Sequence, residues 1–263
     1  MIRETNKIQT MKKATTITTP APAPPVNPIE PGSSLQKFSL LELEQFTMEK
    51  SYSSTASKDF HLFYVGRDDV HDILKYILSR VTFSLYLNMF GYDDDDLNEI
   101  IMEKARDPHI TMLITLDKSQ AGGKHEAALL KSDVGQDPAA FNTHIVTGEQ
   151  FKNLTEFVIG QSATHQISHT KGFVADGKVG AEGSTNWSAS GEGTFVVTGQ
   201  AGGPGYKAQN NTQTVFTDPD AVARFQAELI REHMAAQAQP GGVKAKAARA
   251  VTPAPATGRR VGL

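Results

Sequence analysis

The chain has 263 residues, of which 39% are hydrophobic, and its net charge is -3. This length is sufficient for one well-buried domain, and the small negative charge argues against a molecule that binds nucleic acid by overall charge alone. The sequence contains no cysteine. Disulfide frameworks, thiolate catalysis and cysteine-ligated zinc are therefore excluded.

The two ends of the chain differ in composition from the middle. Residues 1–34 are rich in Thr, Pro and Ala, whereas residues 237–263 carry five basic residues and no acidic one. Such segments bury little apolar surface, so we expect two disordered arms around a folded domain at 35–236. The basic tail is a weak indication of a polyanionic partner.

The sequence shows no targeting or membrane signal. The N-terminal segment lacks the apolar run of a secretory signal, and no segment has the roughly 20 apolar residues of a membrane span. We expect a cytoplasmic protein without stable membrane association, and leave the periplasm open.

Strands and helices alternate along the middle of the chain. The first predicted strand, 60–65, precedes a helix with apolar residues at positions 70, 73, 74, 77, 78 and 81. The later predicted elements are strand 82–90, a helix capped by Asp95 or Asp96 and ended by Asp107-Pro108, strand 110–116, a helix at 124–131, strands 144–148 and 156–160, a hairpin near 168–186, and a helix starting at Asp218-Pro219. This order predicts an α/β domain with a mixed, largely parallel sheet flanked by helices.

The hairpin carries the most distinctive polar residues. Asp176-Gly177 predicts a two-residue type I′ turn, which would pair residue 175 with residue 178. Opposed residues share a face of a sheet, and so do residues two apart on one strand. The register predicts one polar face, with Val174 and Val179 on the other side, and its members are His169, Lys171, Glu182, Ser184 and Asn186.

These side chains match what an attack on a phosphate requires. The imidazole supplies a nucleophile, the ammonium a fixed positive charge, and the hydroxyl and amide supply donors for the oxygens of the transition state. A half-exposed hairpin can also carry such residues as an ordinary polar face. Spacing alone leaves both interpretations open.

The run His169-x-Lys171-x4-Asp176-x6-Gly183-Ser184-x-Asn186 resembles the HKD motif of the phospholipase D superfamily. The resemblance covers about 60–230 and implies a phospholipase D-like layered fold. It implies that His169 is a nucleophile forming a phosphohistidine, that Lys171 and Asn186 hold the non-bridging oxygens, and that Ser184 assists.

The same resemblance implies supporting residues and an assembly. The polar strand at 208–216 would contribute Asn211 and Gln213, and Gln213 stands where many members have an acidic residue that orients the histidine. A glutamine can still accept a hydrogen bond from an imidazole. The working site of the superfamily needs two motifs and this chain has one, so we expect a homodimer with one composite site. No cofactor and no metal is implied.

Several residues near the motif have a second interpretation. Asp176 is expected to act in the turn more than in the chemistry, and Glu182 either faces solvent beside Lys171 or holds its ammonium. His165 either lines the substrate groove or is incidental. Trp187, like Phe195, either stacks on the substrate or belongs to the core or rim.

Three further features of the sequence are an acidic run, the remaining histidines and a glycine-rich connection. The acidic run 93–96 is explained by helix capping better than by a metal cluster, and the remaining histidines show no ligand spacing with each other or with a carboxylate. The glycine-rich connection 191–207 predicts a flexible flap or a small hairpin near the site.

The sequence therefore predicts a metal-independent phosphodiesterase, namely a nuclease that cleaves DNA or RNA through a phosphohistidine. A phospholipase or another phosphodiester hydrolase is the alternative within the superfamily. A nucleic-acid-binding dimer without catalysis is the alternative of another class.

Overall fold

The structure is a computed structural model that describes residues 34–132, 144–146, 151–161 and 167–239. The predicted arms at 1–34 and 237–263 lie almost entirely outside these ranges. The strands are β1 Phe60–Tyr64, β2 Ser84–Met89, β3 Thr111–Asp117, β4 His144–Val146, β5 Leu154–Gly160, β6 Lys171–Ala175, β7 Val179–Gly183 and β8 Thr212–Phe216. The α-helices are α1 Val70–Leu78, α2 Asp95–Lys104, α3 Lys124–Ser132, α4 Ala189–Glu192, α5 Thr194–Val197 and α6 Pro219–Gln237.

All eight strands form one sheet, in the order β1-β8-β7-β6-β2-β3-β5-β4. Strands β2, β3 and β5 are parallel to one another, while the remaining neighbours pair antiparallel. The predicted α/β class with a mixed sheet is confirmed. Parallel pairing is confined to the centre and is less extensive than expected, because the hairpin β6–β7 and strand β8 join the sheet antiparallel.

Helices cover both faces of the sheet. Phe173 belongs to the large core cluster that includes the buried stripe of α1, whereas its neighbour Val174 packs in a second cluster with Val222 and Leu229 of α6. Because successive strand residues point to opposite faces, these two clusters lie on the two sides of β6. Such a sheet is one buried layer between helices.

The predicted helices begin and end close to where their sequence signals lie. The carboxylate of Asp218 accepts a hydrogen bond from the backbone amide of Ala221 at 2.9 Å and Pro219 occupies the first turn, as predicted for α6. The cap of α2 is Asp94, whose carboxylate accepts from Leu97 at 2.8 Å, and not Asp95 or Asp96. All three aspartates fit capping chemistry, so the sequence did not discriminate among them.

The hairpin register differs from the prediction by one residue. Asp176 and Gly177 both have positive φ, at 52° and 61°, as a type I′ turn requires. However, Ala175 pairs with Val179, because Lys178 is an extra residue after the turn and donates its amide to the carbonyl of Ala175. The extra residue acts as a bulge and shifts every later pair.

The shift changes which hairpin residues face each other. Glu182 lies opposite Gly172, whereas the predicted register placed it opposite Lys171. Val174 and Val179, predicted to share a face, pack in different clusters. The predicted polar face is therefore wrong as a set of directly opposed pairs.

The connection 191–207 also differs from the prediction. It contains the end of α4 and the helix α5, followed by residues without regular structure, so no hairpin forms there. Gly193, with φ 67°, separates the two helices. The left-handed backbone at this glycine ends one helix before the other begins.

No helix in the described ranges is long and apolar enough to cross a membrane.

Candidate active site

The segment just before β6 places His169 at the surface. The backbone amide of Ser168 donates to the carboxylate of Asp117 at the end of β3, and its hydroxyl donates to the side-chain oxygen of Asn88 on β2 at 2.9 Å. These two anchors hold the residue that precedes His169. The imidazole itself is exposed, and its ring lies 4.6 Å from the ring of Phe90, centroid to centroid. The sequence predicts His169 on a strand, whereas in the structure it lies two residues before β6 begins.

Lys171 is the first residue of β6 and is buried, with 4% of its surface exposed. Its ammonium donates a hydrogen bond to the carbonyl oxygen of His169 at 2.7 Å and lies 5.1 Å from the centroid of the Phe90 ring. Burial lowers the pKa of Lys171, while the negative charges of Glu182 and Asp117 act in the opposite direction. Both groups that the motif requires therefore lie against one aromatic ring.

The end of β7 is tied to β8 through Ser184. Its hydroxyl accepts from the backbone amide of Thr212 at 3.0 Å and donates to the side-chain oxygen of Asn211 at 3.1 Å. The amide of Asn211 donates in turn to the carbonyl of Gly191 at 3.0 Å. Asn211 is thus bonded to the serine, its supporting role in the chemistry stays a prediction, and the serine hydroxyl is already engaged by protein groups.

Asn186 lies where the chain leaves β7 and passes close to Gly91. A Cβ on Gly91 would lie 3.1 Å from the Cβ of Asn186, so the glycine permits this approach. The side-chain oxygen of Asn186 is buried and has no hydrogen-bond partner within the described part of the chain. An unpaired buried amide oxygen is costly, and because it can only accept a hydrogen bond, it needs a donor and cannot bind a phosphate oxygen.

Gln213 is buried on β8, opposite Gly183 on one side and Phe63 on the other. Its amide donates to the carbonyl of Thr214 at 3.2 Å. The expected hydrogen bond with the imidazole of His169 is not present among the described residues. His169 precedes β6, and β7 separates that strand from β8 in the sheet.

Asp176 directly follows β6, at the opposite end of the strand from His169. The five residues of β6 lie between them, and they span about 17 Å when extended. Its carboxylate accepts from the backbone amides of Phe83 and Ser84 at 2.8 and 3.0 Å, and from the hydroxyl of Thr82. These contacts join the hairpin turn to the start of β2, so the turn interpretation of Asp176 fits its position and the alternative role in the chemistry does not.

The chain was compared with protein families, curated proteins and solved structures. No family model and no curated protein matches it. Solved structures similar to it include Nuc from Salmonella typhimurium, described as a phospholipase D family member, at 11% identity and a TM-score of 0.44, covering 67% of this chain and 95% of that one. NucT from Helicobacter pylori is similar at 14% identity and a TM-score of 0.46, over 67% of this chain and 96% of that one.

Phosphatidylserine synthase from Haemophilus influenzae is similar at 12% identity and a TM-score of 0.40, over 64% of this chain and 35% of that one.

Trp187 is a core residue. It is 1% exposed, and its ring packs against Tyr92 at 5.6 Å and Phe173 at 6.3 Å between centroids. A ring enclosed in this way cannot stack on a substrate base, so the stacking interpretation of Trp187 is wrong and the core interpretation is right. Phe195, its companion in that expectation, is half-buried and packs edge-on against Tyr206 at 4.9 Å.

Two other predicted residues are less informative. His165 lies outside the described residues. Glu182 is exposed at the end of β7, where partial burial raises its pKa and the charge of Lys171 lowers it. The charges of Glu182 and Lys171 therefore influence each other, although the two residues are not opposed in the sheet.

Sequence reasoning missed Phe90 and His71. Phe90 follows β2, whose last residue pairs with Lys171, and no sequence signal shows that β2 and β6 are neighbours. His71 meets Asp94 and Glu192 in space although the three are far apart in the chain. The spacing of possible ligands along the sequence cannot reveal such a group, because its members come from separate segments of the chain.

Proposed function

We propose that this chain is a metal-independent nuclease that cleaves phosphodiester bonds through a covalent phosphohistidine on His169. One observation carries the proposal: the exposed imidazole of His169 and the buried ammonium of Lys171 lie against the same ring, that of Phe90. A phosphate beside His169 would therefore meet both a nucleophile and a fixed positive charge.

In the first step, a ring nitrogen of His169 attacks phosphorus and forms an N–P bond while the bond to the leaving oxygen breaks. The partner subunit's His169 gives its proton to that oxygen. In the second step, the same imidazole takes a proton from water, the hydroxide attacks phosphorus, and the N–P bond breaks to free His169. One water is consumed and no metal takes part.

The groups around His169 have distinct roles in this proposal. The ammonium of Lys171 and the side-chain nitrogen of Asn186, which donate hydrogen bonds, hold the non-bridging oxygens. Ser184 assists by positioning, because its hydroxyl already bonds Thr212 and Asn211. Gly183 keeps this segment close to β8.

Nucleic acid is proposed as the substrate for two reasons. The short, single-motif sequences that this chain resembles are mostly nucleases, and residues 237–263 carry five basic residues without an acidic one. A basic tail adds phosphate contacts that weaken with salt.

Cleavage assays in EDTA test the reaction and its substrate. Labelled single-stranded DNA, duplex DNA, RNA and phosphatidylcholine are incubated with the wild type, with His169→Asn, and with His109→Asn as a control at another exposed histidine. We expect the first variant alone to be inactive and a phosphoryl adduct to be found on His169 by mass spectrometry. Turnover that requires a divalent ion, or hydrolysis of the lipid alone, would overturn the proposal.

Subunit mixing tests the composite site. Wild type and His169→Asn are refolded together in equal amounts, so that random pairing leaves about one quarter of the dimers with two intact histidines. Activity near one quarter of the wild-type value supports a site shared by two subunits. Activity near one half, or a monomer in light scattering, contradicts it.

A further inference from the structure

Three chain segments outside the motif bring a histidine and two carboxylates together. His71 lies on α1, Asp94 caps α2, and Glu192 ends α4. One ligand atom from each lies within 4.8 Å of the others, and no second group of this kind occurs in the described ranges. Imidazole nitrogen and carboxylate oxygen are ligands that zinc accepts in proteins.

Glu192 supplies an independent indication of a missing ligand. Its side chain is 0% exposed, and its Oε2 contacts Nδ1 of His71 while its Oε1 has no hydrogen-bond partner among the described residues. A buried carboxylate oxygen without a partner is costly, because burial removes its water without replacing it. A cation in contact with this oxygen would remove that cost.

Asp94 is oriented in a way that leaves one oxygen available. Its Oδ1 accepts from the backbone amide of Leu97 as the helix cap, while its Oδ2 lies 3.6 Å from Nδ1 of His71. Two ligands of one tetrahedral zinc ion lie about 3.3 Å apart, since each bond is about 2.0 Å long. The Asp94–His71 spacing already suits such an ion, and the closer His71–Glu192 pair would have to widen.

The surrounding charges favour a divalent cation. Asp96 lies 3.3 Å from Nε2 of His71 and 3.0 Å from the ammonium of Lys75. The carboxylates of Asp94, Asp96 and Glu192 therefore outnumber the cationic groups His71 and Lys75, even when the imidazole carries a proton. Asp72 adds a fourth carboxylate, 3.7 Å from the ammonium of Lys75, so replacing that proton by a divalent ion brings the cluster nearer to neutrality.

We propose that His71, Asp94 and Glu192 form a binding site for a zinc-like divalent metal ion with a structural role. The ion would join α1, α2 and α4. Glu192 lies six residues after Asn186 in the chain, and Asp94 lies four residues after Phe90, so the ion would connect the segments that follow Phe90 and Asn186, which also approach each other at Gly91. It does not touch the substrate, and hydrolysis stays independent of metal.

Metal binding to the full chain tests the site directly. Chelator-stripped protein is titrated with Zn²⁺ by calorimetry and with Co²⁺ by visible absorption, which reports the coordination itself. We expect one ion per chain, and binding weaker by more than about 100-fold in both Glu192→Gln and Asp94→Asn. Asparagine is also a good helix cap, so the second variant keeps α2 intact.

A matched control separates this site from ordinary surface binding. His125 and Asp95 form another histidine–carboxylate pair, 3.1 Å apart, without a third ligand in the described group, and His125→Gln should leave the affinity unchanged. Wild-type protein that binds no Zn²⁺, or binds it as tightly as Glu192→Gln, would show that the three groups are an ion pair only. EDTA should lower the melting temperature of zinc-loaded protein by several degrees without stopping hydrolysis below it. The metal site and the proposed reaction can therefore fail separately.

Discussion

The carboxylate of Asp176 accepts hydrogen bonds from the backbone amide and the hydroxyl of Thr82, at 3.0 and 2.9 Å, although Thr82 lies 94 residues earlier in the chain. The hairpin turn is thereby joined to the strand beside it. The aspartate of the HKD motif has a structural explanation that needs no contact with the phosphate.

We expect Asp176→Asn to destabilise the protein by about 2–3 kcal/mol, because the amide cannot accept all the hydrogen bonds that the ionised carboxylate receives. Asparagine tolerates positive φ, so the backbone of the turn is preserved. Urea unfolding measures the loss, with Lys178→Ala as a control in the same turn. A folded Asp176→Asn enzyme should retain its kcat, and a large fall in kcat at full stability would indicate a direct role in catalysis.

Gly183 of the motif is required by packing. A Cβ at this position would collide with the carbonyl oxygen of Thr212 on β8, and backbone cannot move away as a flexible side chain can. We expect Gly183→Ala to cost about 1–3 kcal/mol, the usual range for an overpacked site. Gly203→Ala is the matched control, since nothing lies within 4 Å of a Cβ there. Equal unfolding midpoints for the two variants would refute this explanation.

Phe90 is expected to position both groups of the motif. Replacing its ring by Leu removes the contact with the imidazole of His169 and the cation–π contact with Lys171, each worth about 0.5–2 kcal/mol. Phe90→Leu should lower kcat about tenfold with little change in KM, while Phe90→Tyr should restore it. If leucine and tyrosine behave alike, the ring has no positioning role.

The elements that could be predicted are those with local signals. Helix α6 has its cap, its proline and its apolar stripe within a dozen residues, so the sequence located it correctly. The turn at Asp176-Gly177 was also found, but the bulge at Lys178 has no local signal and moved Glu182 away from its predicted partner. A single extra residue is enough to exchange the faces of a strand.

The parts of the site that could not be predicted depend on contacts between distant segments. His71 and Glu192 are 121 residues apart in sequence and still share a hydrogen bond. Trp187 lies directly after Asn186, but the packing of its ring depends on Tyr92, which lies in the segment between β2 and α2. The resemblance to the HKD motif predicts the chemical groups, whereas their surroundings follow from the order of strands in the sheet.

Protonation of the buried His233 imidazole is expected to make the stability of the protein depend on pH. It lies on α6, where Nδ1 is 3.0 Å from the hydroxyl of Thr115 and Nε2 is 2.9 Å from the carboxylate of Glu156. Burial lowers the pKa of His233 below its ordinary value of 6.5, and the hydrogen bond and charge of Glu156 only partly oppose this. The unfolded chain therefore binds the proton more readily than the folded one.

It follows that His233 contributes stability that is present above pH 6.5 and is lost as the pH falls towards its lower folded pKa. A single group of this kind changes the free energy of unfolding by at most about 1.4 kcal/mol per pH unit. Urea unfolding at pH 7.5 and 5.5 should show a smaller loss for His233→Gln than for the wild type. The exposed His109→Gln should lose as much as the wild type, and parallel losses in all three proteins would exclude His233 as the source of the dependence.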